Sequence, residues 1–348
     1  MLYAFIEEWY GFCNYITRKK ILYENIFLWN EIIMKQRAKQ YLLISFAVLL
    51  GLSTENIYGS EGKVSASYLY TLSNFAGILP VSWAGVSVDE SRDEVYVIPG
   101  QAIKIFDNRG MEVYSFNEAG DIPGVVDIAV DDEGNIILLA DAQREIIRCN
   151  YRGEPISKME LKNLPPGFAG FFPNRVFFRK GSFYFASLRT LRVIVTDRAG
   201  LVIDSYDIAS LIELDEKDRM DADIVGFSVD REGNILFTMP AMAKAWVLSP
   251  DKQVSSFGQS GSTAGKFGVM AGIATDASGK YIIVADTLRC VVMVFDRNFK
   301  FQTEFGFRGL EPDNLIGPQQ LAVDNKNRLY VAQLRNRGIS VYQITITS

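Results

Sequence analysis

A unit of 42–51 residues recurs six times along this chain, and that recurrence limits it to a few architectures. Two copies are clearest. "MAGIATDASGKYIIVADTLRCVVMVFDRNFKFQTEFG" starts at Met270, and "PQQLAVDNKNRLYVAQLRNRGISVYQI" starts at Pro318. Each holds an apolar strand ending in Asp, a polar turn, a second apolar strand, an Arg-bearing turn and a third strand. The same grammar starts at Gly85, Asp127 and Gly226, with a degenerate copy at Asn174. The strand-ending residues are Asp89, Asp131, Arg179, Asp230, Asp276 and Asp324, spaced 42, 48, 51, 46 and 48 residues apart.

The turns favour strands over helices. Glu133-Gly134-Asn135 and Glu232-Gly233-Asn234 place Gly and Asn where tight hairpins need positive φ, and Asn108-Arg109-Gly110 and Arg152-Gly153 follow one hairpin later. The segments between them are rich in Val, Ile, Tyr and Phe. Four short antiparallel strands per unit, six times over, give an all-β chain folded as a six-bladed β-propeller. The last copy has three strands before the chain stops, while "SYLYTL" at residues 67–72 precedes the first full copy. That N-terminal segment is expected to complete the last blade and cover its edge. Two residues before each strand end lie Ser87, Ala129, Phe177, Ser228, Ala274 and Ala322. Small residues suit strands crowded at an axis, and Phe177 breaks the rule in the degenerate copy.

"GIATD…YIIVADTLRCVVMVFD" and "QLAVD…RLYVAQLRNRGISVYQ" resemble NHL repeats, and Phe257-Gly258 and Phe305-Gly306 fit the ends of that pattern. The resemblance covers about residues 67–348 and implies a six-bladed propeller of NHL-like repeats. It implies no single function, because the family includes protein-binding and RNA-binding modules and propeller enzymes. Its amidating-lyase relatives depend on a histidine-rich metal site, and this chain contains no histidine.

The missing histidine also removes Ser-His-Asp and Cys-His catalysis and His-ligated zinc or haem. The formal charge is −5. Residues 1–59 carry six basic and five acidic residues, so the rest holds 30 against 36, a net of −6. A mildly acidic chain argues against nucleic acid as a partner. Cys149 and Cys290 fall in the second and fifth copies, opposite each other in a six-fold ring, too far apart for a disulfide.

Upstream of the repeats, Met34 is followed by Lys35, Arg37, Lys39 and a 12-residue apolar run, Tyr41 to Leu52. A membrane span needs roughly 20 apolar residues. The pattern fits a signal peptide. Residues 34–59 are therefore expected to be a signal, 60–66 a short linker and 67–348 the propeller. Translation is expected to start at Met34, with 1–33 an upstream misreading of the gene start. The mature chain would be a periplasmic or secreted monomer without a stable membrane span.

In a propeller, the turns between second and third strands share one face with the loops between blades. Here those turns carry Arg144, Arg189, Arg192, Lys244, Arg289, Arg335 and Arg337. The opposite turns carry Asp89, Glu90, Asp131, Asp132, Glu133, Asp230, Glu232, Asp276 and Asp324. A basic face opposite an acidic one is expected. The arginines either form a ring that binds an acidic protein or anionic ligand, or pair with aspartates such as Asp141 and Asp286. The loop Lys162 to Asn174 brings Phe168, Phe171 and Phe172, as a partner anchor or as a lid over a blade edge. Asp207 to Asp223 is acidic, with room for one short helix.

The leading reading is an exported, non-enzymatic scaffold that binds a protein partner or anionic ligand through the basic face, with no cofactor. The alternative is a Ca²⁺-dependent hydrolase or lactonase with oxygen ligands from Asp127, Asn174, Asp223 and Gln320 at the central channel.

Overall fold

The computed structural model describes residues 63–81, 84–215, 218–219 and 222–347. The expected upstream segment 1–33 and signal 34–59 lie outside the described residues.

The described chain is almost entirely β. A strand β1 (Lys63–Thr71) leads into a tiny hairpin, β2 (Ser73–Asn74) and β3 (Gly77–Ile78). Blade 1 is β4 (Gly85–Asp89), β5 (Glu94–Ile98), β6 (Ile103–Phe106) and β7 (Glu112–Phe116). Blade 2 is β8 (Val125–Val130), β9 (Ile136–Ala140), β10 (Glu145–Cys149) and β11 (Pro155–Met159). Blade 3 is β12 (Arg175–Arg179), β13 (Ser182–Ser187), β14 (Arg192–Thr196) and β15 (Val202–Asp207), followed by the single-turn helix α1 (Ile208–Leu211). Blade 4 is β16 (Phe227–Val229), β17 (Ile235–Met239), β18 (Lys244–Leu248) and β19 (Val254–Phe257). Blade 5 is β20 (Met270–Thr275), β21 (Tyr281–Asp286), β22 (Val291–Asp296) and β23 (Phe301–Phe305). Blade 6 is β24 (Pro318–Val323), β25 (Arg328–Gln333) and β26 (Ile339–Thr347), with β1 as its outermost strand.

The innermost strands β4, β8, β12, β16, β20 and β24 touch in that order, and β24 returns to β4, so the ring is closed. β1 pairs antiparallel with β26 from Lys63↔Thr347 to Thr71↔Ser340, with an irregularity at Tyr68/Tyr70. The expected closing strand is present. It starts at Lys63 rather than Ser67, so part of the stretch read as linker is strand. "KVSA" alternates apolar and polar residues weakly, and pairing with β26 recruits it.

Hydrophobic packing lies between blades rather than inside one core. Six clusters fill the six gaps between neighbouring blades. Strand β9 shows why its sequence reads as a continuous apolar run. Ile136, Leu138 and Ala140 point into the blade 1–2 gap, while Ile137 and Leu139 point into the blade 2–3 gap. Side chains alternate sides along a strand, so a middle strand sandwiched on both faces must be apolar at every position.

The strand-ending aspartates are turn caps. Asp131 Oδ1 accepts from the amides of Glu133 (3.0 Å) and Asn135 (2.8 Å), and Asn135 Nδ2 donates to its other oxygen at 2.9 Å. Asp230 repeats this with Glu232 and Asn234. A carboxylate that accepts several backbone N–H groups fixes a four-residue turn and is spent in doing so. The degenerate copy needs no cap. Its turn has only two residues, Lys180 (φ 51°) and Gly181 (φ 76°), the positive-φ pair of a tight hairpin. Position 179 is thereby released to hold an arginine.

Candidate functional site

The sites follow from the ring. The innermost strands run from the loop-rich upper face to the lower face and enclose a bore.

At the upper mouth the strands approach backbone to backbone. A Cβ on Gly226 would stand 2.1 Å from the Ala271 carbonyl oxygen, and one on Gly272 2.3 Å from that of Gln319. These glycines are required by packing. Beside them Asp127 is buried, and burial pushes its carboxyl above the usual range, with Arg175 opposing. Asp127 Oδ1 lies 3.4 Å from Arg175 Nη1, and its Oδ2 accepts from the Val176 amide at 2.8 Å. The Gln320 amide lies against the same guanidinium, and with its oxygen turned toward Arg175 it accepts from it.

Of the four residues expected to hold a cation, two meet here. Asp127 and Gln320 do converge, but on an arginine that already matches the carboxylate charge. Asn174 spends its side-chain oxygen on the Leu188 amide at 3.0 Å, and Asp223 is exposed. Among the described residues, no three acidic or cysteine side chains gather as metal ligands. Arg175 opens β12 and carries no distinguishing motif, so its role is visible only in the fold.

The upper-face cations mostly hold loops. Arg144 donates to the Gly170 carbonyl at 3.0 Å and lies 5.0 Å from the Phe172 ring centre. Arg192 stacks over Phe168 at 5.2 Å and faces Asp207 at 3.6 Å. Arg289 donates to the Lys266 carbonyl at 2.9 Å and pairs with Glu304 at 2.8 Å. Arg337 donates to the carbonyls of Leu310 (3.2 Å) and Glu311 (2.9 Å). Lys244 lies over Trp246 at 5.6 Å. Arg189 and Arg335 remain exposed. The stapling is therefore to loop carbonyls, to aromatic rings and to Asp207 and Glu304, not to Asp141 or Asp286. Asp286 accepts instead from the amides of Gly268, Val269 and Arg289. Phe168 is buried, and Phe171 and Phe172 pack on the blade 2–3 cluster. Of the two roles expected for that loop, this packing fits the lid, with Phe171 and Phe172 still partly exposed.

The expected division into a basic and an acidic face also fails. Lower-face acids are paired with lower-face bases: Asp89 with Arg92 (2.9 Å), Glu90 with Arg231 (3.0 Å), Asp230 with Arg297 (2.7 Å) and Asp93 with Lys326 (2.6 Å). Arg198 reaches from blade 3 to both Asp132 and Glu133 in blade 2. Cys149 and Cys290 are both free and buried. Burial pushes the Cys149 thiol up to about 11, so it is inert at neutral pH. Cys290 sits in the turn one residue before β22.

The upper face also presents what sequence reasoning missed. Leu288 is 60% exposed, Phe307 56% and Leu310 79%, and Val225 and Val269 are exposed as well. The loops that carry these residues adjoin one another across blades 4 to 6. Gly226 packs on the Ala271 backbone, the Thr287 amide donates to the Val269 carbonyl at 2.9 Å, and Gly306 lies against the Cys290 carbonyl. Only the fold brings these loops together.

No family model matches the sequence, and no curated protein matches it. Solved structures match the fold. A streptogramin B lyase structure shares 12% identity at a TM-score of 0.56, covering 81% of this chain and 98% of that one. Virginiamycin B lyase from Staphylococcus aureus, in a catalytically inactive histidine-to-alanine form with quinupristin, shares 12% at 0.52, covering 82% and 99%. The Swd1 β-propeller domain of Myceliophteria thermophila shares 9% at 0.50, covering 81% and 100%. The chain is a six-bladed β-propeller.

Proposed function

We propose that this chain is a non-enzymatic propeller of NHL-like repeats that docks a protein partner through its upper face. The observation that carries this reading is the exposure of Leu288, Phe307 and Leu310. Large apolar side chains stand exposed on loops that arginines hold in place. Ordering cost is prepaid in such a surface, and apolar anchors on it supply the binding free energy. Exposed Arg335 lies in the next turn and suits an acidic rim on the partner.

The lyase neighbours support the fold and not their activity. One of them is catalytically inactive once a histidine becomes alanine. This chain has no histidine to put there. The calcium-dependent alternative loses its support where Arg175 occupies Asp127 and Gln320.

The test is a pull-down comparing wild type with the triple variant Leu288→Asp, Phe307→Asp, Leu310→Asp. Three exposed positions leave the core untouched. Partners held by wild type are expected to weaken by roughly a hundredfold or more, and to survive Arg189→Glu on the far side of the same face. Partners unchanged by the triple variant would sink the reading.

Lys35, Arg37 and Lys39 before the apolar run Tyr41 to Leu52 support export from a start at Met34. N-terminal sequencing of the chain recovered from outside the cytoplasm is expected to begin near Ser60. Any peptide from residues 1–33 in that material overturns this.

A further inference from the structure

The lower mouth of the bore holds a cation without a bonded counter-ion. Arg179 ends β12 where the other copies have a turn-capping Asp. Its Nε donates to the Val229 carbonyl at 3.2 Å and its Nη1 to the Phe178 carbonyl at 3.3 Å. Glu90 Oε1 stands 3.9 Å away, an ion pair too long for a hydrogen bond. The other Glu90 oxygen is committed across the axis to Arg231 at 3.0 Å. Desolvation in the bore pulls the Arg179 guanidinium below the usual arginine value, Glu90 and Asp230 oppose that, and Arg231 adds to it. Asp230 is no substitute partner. It is buried and already accepts from Arg297, Asn234 and two turn amides.

The carboxylates around this mouth are each matched. Asp89 holds Arg92, Asp132 holds Arg198, and Asp131 caps its own turn. On the blade 3–4 side, Arg179 and Arg231 share the single carboxylate of Glu90, while Lys180 donates to the Glu232 carbonyl at 3.1 Å. These groups front a cavity in the bore lined by Ser87, Glu90, Arg179, Ser228, Asp230 and Arg231. The cavity continues into an open groove at the mouth that Lys180 and Asn325 border.

We propose that this mouth binds a compact oxyanion between Arg179 and Arg231, and that Glu90 is its built-in competitor. Two guanidinium groups from different blades converging on one carboxylate form a fork for carboxylate or phosphate oxygens. Glu90 fills that fork for Arg231 but leaves Arg179 short of a bond. An entering oxyanion takes hydrogen bonds from both arginines and frees Glu90 to turn outward. Arg179 is the more enclosed of the two arginines, and that strengthens its charge-assisted bond relative to a surface site. The site lies on the face opposite the docking surface and stands independently of it.

Isothermal titration calorimetry of the full chain at low ionic strength, with succinate and with inorganic phosphate in separate arms, tests this. At least one is expected to bind, and which one separates a carboxylate from a phosphate ligand. Arg179→Met is expected to weaken that binding by about tenfold or more, the value of a lost charge-assisted bond. Arg231→Met, at a half-exposed position, should weaken it too and guards against a folding defect in the first variant. Glu90→Gln removes the competitor and should tighten binding several-fold. Binding of neither anion, equal binding by wild type and both arginine variants, or no gain in Glu90→Gln overturns the proposal.

Discussion

Replacing Arg328 by methionine is expected to cost about 3–5 kcal/mol of unfolding free energy, read by urea denaturation of both proteins. The reason lies at the seam where blade 6 meets blade 1. Arg328 is buried and bonds Asp324 of its own blade and Asp93 of blade 1, and donates to the Asn108 carbonyl at 3.0 Å. Lys326 adds a second bond to Asp93 at 2.6 Å, and Tyr70 of β1 also donates to Asn108 at 2.9 Å. Removing the central cation leaves Asp324 buried without its bonded cation and Asp93 dependent on Lys326, and a buried charge stripped of its partner is far costlier than a lost surface pair. A difference below ~1 kcal/mol would refute this account of the seam.

The same seam sets how that difference varies with pH. Burial works to raise the Asp93 pKa. Lys326, Asn108 and Arg328 outweigh it and hold the carboxyl below its ordinary value. A folded pKa below the unfolded one stabilises the fold above about pH 4, and that stabilisation is lost as pH falls through the folded value. The wild-type advantage over Arg328→Met should therefore shrink below about pH 4.

The second large effect is the removal of β1. A chain that begins after Thr71 is expected to lose its cooperative fold and to aggregate. Without β1, the nine-residue strand β26 becomes a bare edge. Val64 leaves the blade 5–6 cluster, and Tyr68 leaves its edge-on contact with Tyr342 at 5.8 Å. Size-exclusion chromatography and near-ultraviolet circular dichroism would show the loss. A monomer with wild-type spectra would mean that three strands suffice for blade 6.

The architecture was legible in the sequence because it depends on local rules that repeat. A strand ending in Asp, a Gly-Asn turn and a doubly apolar middle strand each leave a mark, and six copies make the mark unmistakable. Even the closing strand showed, through the missing fourth strand after Ile339–Thr347. The site was less legible because long side chains decide it. Arg144, Arg192, Arg289 and Arg337 sit on the expected face, yet each reaches back to a loop carbonyl or a ring. Sorting acids from bases by turn failed because Arg92, Arg231 and Lys326 follow Asp89, Asp230 and Asp324 within three positions and neutralise that face. Phe168 looked the same as an anchor or as a lid until the loop was placed against blades 2 and 3. Arg179 was visible as an irregularity, but its purpose appears only when Glu90 and Arg231, 141 residues apart in sequence, meet across the axis.

The closing pair of strands has a mechanical consequence. Lys63 and Thr347 are ladder partners, so both ends of the ring emerge side by side. Tension applied between those ends would pull the antiparallel pair apart like a zipper, loading its hydrogen bonds one at a time rather than together in shear. The ring would open at β1 first, while the five blades formed by consecutive strands bear none of that load.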